Sequence, residues 1–199
     1  MLACQRAPNF KVNILGMNKI SSSAVVPESA KIGNFVIIED GVILSDSCVI
    51  SDFVLIQKNT RIGSNCFLGT YSKIGEGVVI GSDCKMTAYC EVRNNCRLGD
   101  RVTMGSRCTL SAGSIVEDDV VMKYSFVLTD TPVLSLNNQK SVGRLGRGSR
   151  YGANVTIMPG VTVGINSEIG ANSQVRVDVP DHEVWFGVPA KFYKKIPRG

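Results

Sequence analysis

Every sixth residue from Val26 to Leu128 is aliphatic or methionine: Val26, Ile32, Ile38, Leu44, Ile50, Ile56, Ile62, Leu68, Ile74, Ile80, Met86, Val92, Leu98, Met104, Leu110, Val116, Met122 and Leu128. A helix repeats every 3.6 residues and a lone strand every two, so neither keeps a strict period of six; a solenoid of short flat faces joined by turns does. This repeat alone excludes a helical bundle and an open sheet for most of the chain.

The residue two before each of these positions is small or branched, as at Ala24, Val36, Val42, Cys48, Thr60, Cys66, Ser72, Cys84, Cys90, Cys96, Cys108 and Ser114. Glycine recurs one step after the large residue, at Gly33, Gly63, Gly69, Gly75, Gly81, Gly99 and Gly105. There a corner is expected to need a backbone conformation that a β-carbon resists. Three such units close a coil of eighteen residues, and successive coils stack at the spacing of paired strands, roughly 4.8 Å. Val26, Leu44, Ile62, Ile80, Leu98 and Val116 then form one internal column. The register breaks after Leu128 and resumes at Leu145, Tyr151, Ile157, Val163, Ile169 and Val175. The gap of seventeen residues between Leu128 and Leu145 is not a multiple of six, so a segment near 129–144 loops out.

With 199 residues and no linker-like tract, the chain reads as one domain: a lead-in over 1–20, a β-solenoid of about eight coils over 21–178, and a C-terminal cap and tail over 179–199. No apolar run approaches eighteen residues and the start is not followed by an apolar signal core, so the expectation is a cytoplasmic protein without a membrane partner. A net charge of +5 with no basic stripe interleaved with aromatic platforms argues for phosphorylated small ligands over nucleic acid. Six of the seven cysteines, Cys48, Cys66, Cys84, Cys90, Cys96 and Cys108, occupy the inward small-residue slot, where a thiol packs as a small hydrophobe. Disulfides and a metal are the lesser readings.

The C-terminal coils run Gly152-Ala153-Asn154-Val155-Thr156-Ile157-Met158-Pro159-Gly160-Val161-Thr162-Val163-Gly164, then Ile169-Gly170-Ala171, Val179-Pro180 and Phe186-Gly187-Val188-Pro189-Ala190-Lys191. With the six-residue repeat, these motifs resemble the hexapeptide-repeat acyltransferase superfamily over nearly the whole length from about Val26 to Lys191. The resemblance implies an all-β, left-handed parallel β-helix. Handedness comes from it alone, because most parallel crossovers are right-handed. It also implies a homotrimer, with acetyl-CoA lying in a groove between subunits. Gly152, Ala153, Gly170 and Ala171 match the corners that hold the pantetheine, and Arg176, Lys191, Lys194 and Lys195 are candidates for its phosphates. Zinc-dependent carbonic anhydrases of the superfamily use three histidines; this chain has one, His182, so no metal is expected.

No histidine lies in the solenoid or the insertion, which disfavours an acceptor hydroxyl needing a strong general base. An amine with a pKa of roughly 7.7–8.0 is already partly neutral at pH 7. The segment Phe126-Val127-Leu128-Thr129-Asp130-Thr131-Pro132 is similar to one that precedes a long loop in nucleotide-sugar N-acetyltransferases, with Leu128 standing where those enzymes carry an Asn. Asp130 is thus the catalytic candidate, orienting or deprotonating an ammonium with Ser125 or Thr129 beside it; alternatively it caps the turn into the insertion. Lys140 and Arg144, followed by Arg147 and Arg150, suit a diphosphate. The reading is an acetyl-CoA-dependent N-acyltransferase acting on a nucleotide-linked or other small amino sugar. Two rivals stand beside it: a sugar O-acetyltransferase whose base is Asp130 or His182, and a catalytically silent β-helix serving as a scaffold.

Overall fold

Each large repeat position closes a two-residue strand and points inward, with its exposed neighbour pointing out. Leu44, Ile62, Ile80, Leu98, Val116, Leu145 and Val163 are consecutive register partners, which is the internal column the spacing predicts. The computed structural model describes residues 18–132 and 140–197. The lead-in expected over 1–20 therefore falls largely outside the described residues, as does the middle of the insertion, including Asn137, Asn138 and Gln139.

Three parallel sheets form the sides of a left-handed β-helix. Sheet I has nine strands, from Lys19–Ile20 to Gln174–Val175, and sheet II has seven, from Ile43–Leu44 to Thr162–Val163. Sheet III has ten, from Lys31–Ile32 through Glu168–Ile169 to a closing hairpin, Glu183–Gly187 with Ala190–Lys195. Consecutive strands belong to different sheets and each pairs with the strand one coil on. The coil count exceeds eight because the segment from Val175 continues the winding irregularly. Ile157 pairs with Val175, Val163 bridges to Val179, and Ile169 pairs with Trp185, making a distorted ninth turn. The described residues contain no helix long and apolar enough to cross a membrane.

The slot residues do more than fill space. Cys48 Sγ donates to the Gly63 carbonyl at 3.2 Å, Cys66 to Gly81 at 3.1 Å, Cys90 to Gly105 at 3.2 Å and Cys108 to Lys123 at 3.0 Å. Thr60 makes the same link to Gly75 at 2.7 Å. Each donor reaches the first corner carbonyl of the next coil, so a thiol or hydroxyl there satisfies an acceptor that a valine would leave unserved. These four cysteines, together with Cys84 and Cys96 in the same slot, are free and buried. Burial pushes the Cys90 thiol up to about 12 and those of Cys96 and Cys108 to about 11.

The corner glycines are required for a reason other than the expected one. Gly63, Gly69 and Gly152 do not adopt positive φ; a β-carbon at Gly63 would stand 2.6 Å from the Gly81 carbonyl carbon of the next coil. The left-handed conformation falls two residues later and recurs with period six: Phe35, Ser47, Phe53, Asn59, Asn65, Tyr71, Asp83, Tyr89 and Asn95 all have φ between 55° and 61°. Asn and Asp tolerate it, whereas an aromatic there costs roughly 1 kcal/mol or more.

Four aromatics accept that cost together. Phe35, Phe53, Tyr71 and Tyr89 stack along the edge between sheets III and I, with centroids 4.9, 4.7 and 5.1 Å apart and planes within 13°. The stack consists of aromatics alone, not the basic stripe with interleaved platforms that the sequence lacked, and the rings cover one another's faces. Such pairs contribute about 0.5–1.5 kcal/mol each. Tyr71→Ala removes two of them and should lower the unfolding free energy by about 1–3 kcal/mol, read from the urea midpoint, while Tyr71→Phe leaves it unchanged.

The seventh coil, where the insertion leaves, is packed differently. Phe126 fills a slot held by small residues elsewhere and lies 4.9 Å from the buried Tyr151, whose hydroxyl meets Ser149 Oγ at 2.9 Å. The compensating slot is Gly143, where a β-carbon would approach Leu128 Cδ1 to 2.6 Å. Volume added on one side of the coil is removed on the other.

Candidate active site: two edges of the prism

After Val127–Leu128 the chain turns at Thr129 and Asp130, leaves the coil and returns at Ser141. The base of this excursion is clamped. Thr129 N and Oγ1 both donate to the Ile157 carbonyl, at 3.0 and 2.8 Å, and Ser141 N donates to the Asp130 carbonyl at 2.9 Å. Asp130 is 6% exposed. Its Oδ1 accepts the Thr131 hydroxyl at 2.9 Å, and its Oδ2 lies 3.2 Å from Lys140 Nζ. That ion pair lacks hydrogen-bond alignment, so among the described residues Oδ2 has no hydrogen-bond donor. Burial pushes the carboxyl up, but the Thr131 hydroxyl and the Lys140 ammonium, with Arg93 further off, outweigh it and hold the group below its usual range. Asp130 is thus a carboxylate at neutral pH with an open acceptor site, fitted to hold a cation and poor at taking a proton.

Lys140 lines a polar cleft of about 280 Å³ along the edge between sheets I and II, together with Gln57, Lys73, Glu91, Arg93 and Asn94. Of the site residues named from sequence, Lys140 alone lines this cleft; Asp130 adjoins it through its ion pair with Lys140, and Thr129 precedes Asp130 in the chain. Ser125 lies on the opposite edge, at a corner between sheets III and I, with the strand Val127–Leu128 between it and Asp130. Arg144 points outward from sheet II, where Glu117 accepts its Nε at 3.0 Å and its Nη2; Glu117 Oε2 accepts Arg147 N at 2.8 Å. The Arg144 hydrogen bond, ahead of any other cause, keeps the Glu117 carboxyl below its ordinary range. Arg144 is therefore engaged in holding the reentry of the chain.

The second feature is on the edge between sheets III and I. Gly152 and Gly170 line a shallow, mainly apolar groove of about 530 Å³ with Lys123, Tyr151, Ile169 and Val184. Their own amides are used by the fold, Gly152 N donating to Ile169 O and Gly170 N to Trp185 O, each at 2.8 Å. Both glycines are also demanded by packing: a β-carbon at Gly152 would come within 2.5 Å of Ala171 N, and one at Gly170 within 2.8 Å of Phe186 Cβ.

The alanines are more telling. In several coils the second corner amide is capped by an Asp or Asn one coil on: Asn34 N by Asp52 at 2.7 Å on this same edge, and on the other edges Ser82 N by Asp100 at 2.7 Å, Asp100 N by Asp118 at 3.0 Å, Glu76 N by Asn94 at 3.1 Å and Ile165 N by Asp181 at 2.7 Å. Ala153 and Ala171 sit at the equivalent corner of their coils, and the side chain that would cap Ala153 N is that of Ala171. Among the described residues neither alanine amide has an acceptor. Two outward N–H groups one coil apart beside an apolar groove fit the amide carbonyls and methylenes of a pantetheine arm.

The cations named for its phosphates divide. Lys191 is on the closing hairpin opposite Phe186, which packs on Gly170. Arg176 lies across sheet I from this groove, with its Nε donating to Gln174 Oε1 at 2.7 Å. Lys123, missed in the sequence, stands in the groove itself. His182 is at a corner between sheets II and III with φ 57°, lining a neighbouring cleft with Arg150 and Glu168, both of which also line the groove. Trp185 and Phe186 close the end of the solenoid, Trp185 packed on the core and Phe186 against Tyr193 at 4.9 Å.

A three-sided parallel β-helix with six-residue units, an excursion in a late coil and a small-residue corner groove defines the hexapeptide-repeat class. Residues 59–94 match the bacterial transferase hexapeptide family (six repeats) and residues 144–176 the hexapeptide repeat of succinyl-transferase. The repeats matched over these two stretches are hexapeptide repeats of the kind found in transferases. It is 51% identical over 45 residues to a galactoside O-acetyltransferase of Lactococcus lactis, a match covering 23% of this chain and 22% of that protein. It spans about a quarter of the length of the curated relatives it matches. Among solved structures it is similar to the UDP-N-acetylglucosamine O-acyltransferase of Moraxella catarrhalis, with TM-score 0.73, 18% identity, and coverage of 89% of this chain and 72% of that one. The UDP-N-acetylglucosamine acyltransferase of Arabidopsis gives TM-score 0.67 at 15% identity, covering 92% and 74%. At these identities the likeness speaks for the fold.

Proposed function

We propose that this protein transfers an acetyl group from acetyl-CoA to the amine of a small or nucleotide-linked amino sugar. The observation that carries the reading is the pair of uncapped amides at Ala153 and Ala171 beside the apolar groove. The neutral amine attacks the thioester carbonyl; a C–N bond forms, the C–S bond breaks, and the coenzyme A thiolate leaves and takes up the proton lost by the amine. Asp130 holds the acceptor by its ammonium form, which loses a proton to solvent before the attack, and Thr129 braces the corner that carries it. An amine needs no strong base, which accords with a depressed Asp130.

The two features lie on different edges of one prism, a full face apart. A reaction between them is served by a second copy whose edge lies against the first, which supports the homotrimer implied by the superfamily, working in the cytoplasm. Transfer to a sugar hydroxyl is the second reading, favoured by the relative named a galactoside O-acetyltransferase.

Thiol release from acetyl-CoA with amino sugars and their N-blocked, hydroxyl-only counterparts tests the choice. Release with the amines alone is expected; release with both sets establishes O-transfer, and release with neither makes the chain a scaffold. Ala171→Asn installs the cap that Asn94 provides to Glu76. It should raise the KM for acetyl-CoA about tenfold, the worth of one hydrogen bond, without lowering the melting temperature.

A further inference from the structure

The polar cleft between sheets I and II is built for negative charge. Three cations line it, Lys73, Arg93 and Lys140, against one carboxylate, Glu91. Lys73 Nζ lies 3.7 Å from Glu91 Oε1, so those two offset each other. Arg93 has no ion-pair partner among the described residues. Asn94 uses its Oδ1 on Glu76 N at 3.1 Å, which leaves its amide nitrogen to the cleft, and Gln57 supplies a second amide. Lys140 is shared. It lines the cleft, while its Nζ also lies 3.2 Å from Asp130 Oδ2, a buried oxygen that is not part of the cleft wall. That contact lacks hydrogen-bond alignment and the lysine side chain is 53% exposed, so an anion in the cleft can compete for it.

We propose that this cleft is a regulatory site for a small free anion, whose binding draws Lys140 away from Asp130. The Arg93 guanidinium takes two oxygens of a phosphate or a carboxylate at once, and Lys140 and the Asn94 amide close on the rest. Asp130 and the anion then compete for one lysine, so each weakens the other's hold on it by the same factor. Lys140 and Arg93 are also the two cations that act on the Asp130 carboxylate, and both are engaged by the anion. With Lys140 withdrawn, Oδ2 loses the cation beside it and is left to the ammonium of an acceptor. That last consequence rests on the role given to Asp130 above, whereas the anion site and its competition for Lys140 do not.

Calorimetric titration of the full-length protein at neutral pH with inorganic phosphate and, separately, with acetate tests it, no acyl donor or acceptor being present. At least one of the two should bind at one site per chain; phosphate as the tighter assigns a phosphate, acetate as the tighter a carboxylate. Arg93→Gln and Lys140→Gln should each weaken that binding about tenfold, the worth of one hydrogen bond to a charged group. Lys85→Gln, on the outer face of sheet III, should leave it unchanged. Asp130→Asn, which releases Lys140, should bind the anion about five- to tenfold more tightly, and the same substitution made on top of Lys140→Gln should bring no gain. Binding of neither anion overturns the proposal, as does an Asp130→Asn variant, folded by its melting curve, that binds no more tightly than wild type. A gain that persists in full without Lys140 overturns it too. Arg93 and Lys140 are both exposed and their loss spares the fold, so wild-type affinity in both of those variants overturns it whatever becomes of Asp130→Asn. Because every readout is binding, an absence of acetyl transfer would remove the enzymatic reading and leave this result standing.

Discussion

Gly63→Val should destabilise the protein by about 3 kcal/mol or more, lowering the melting temperature by roughly 6–12 °C for a chain of this size. The added β-carbon would lie 2.6–2.7 Å from the carbonyl carbon and oxygen of Gly81 and the nitrogen of Ser82. These are backbone atoms locked into the next coil, Gly63 N itself donating to Ile80 O at 2.9 Å, so no side chain can swing away. The adjacent coils must part, and the strand pairs Arg61–Val79 and Ile62–Ile80 weaken with them. Asn65→Gly, in the same corner at φ 58°, should change stability by no more than about 0.5 kcal/mol, since glycine adopts that conformation readily. Thermal melts of the two variants check the contrast. Similar losses would mean that conformation, and not the distance between coils, makes the first corner position glycine.

Asp130→Asn should lower kcat/KM for an amine acceptor by about 10–10²-fold, the worth of a hydrogen bond to a charged group, with little change in the melting curve. Thr131 can still donate to the amide oxygen, while the charge facing the acceptor is gone. The pH profile follows from the direction of the shift. A carboxyl held below its usual range stays ionised throughout the neutral range, so Asp130 does not change charge there. Its contribution to stability is likewise present at neutral pH and lost as pH falls through its depressed value. The wild-type kcat/KM should therefore rise with pH as the acceptor ammonium loses its proton and level off near pH 8. A rising limb near pH 6–7 that vanishes in His182→Ala would instead assign the base to histidine and remove Asp130 from the chemistry.

The period of six carried the solenoid, its inward columns and the packing of the cysteines, because each is a local consequence of which way a residue points. The corner glycines were legible but their cause was not, since their clashes are with a coil eighteen residues away. Asn at Asn59, Asn65, Asn95, Asn154, Asn166 and Asn172, spread over the three edges, marked the left-handed positions plainly enough. The same spacing of eighteen joined Phe35, Phe53, Tyr71 and Tyr89, whose stacking was overlooked. At the site, Asp130 and the alanine corners could be named from motifs. The nearness of Lys140 to Asp130 depends on how the excursion closes, and the reach of Arg93 and Lys73 toward it depends on coils stacking. Ser125 was misplaced because five residues along the chain span one whole face of the prism.

The exchange of volume between Phe126 and Gly143 makes the seventh coil unlike any other. Coils nearer the N-terminus obey one interchangeable rule, and each touches only its neighbours. Excising 36–53 would shorten the rod by one coil and close the aromatic column by one rung, bringing Phe35 beneath Tyr71. Asp130, the alanine corners and the cleft would keep their mutual positions, because all belong to later coils. Rod length and reactive geometry are separately adjustable in this architecture, and the seventh coil is the register mark from which both are counted.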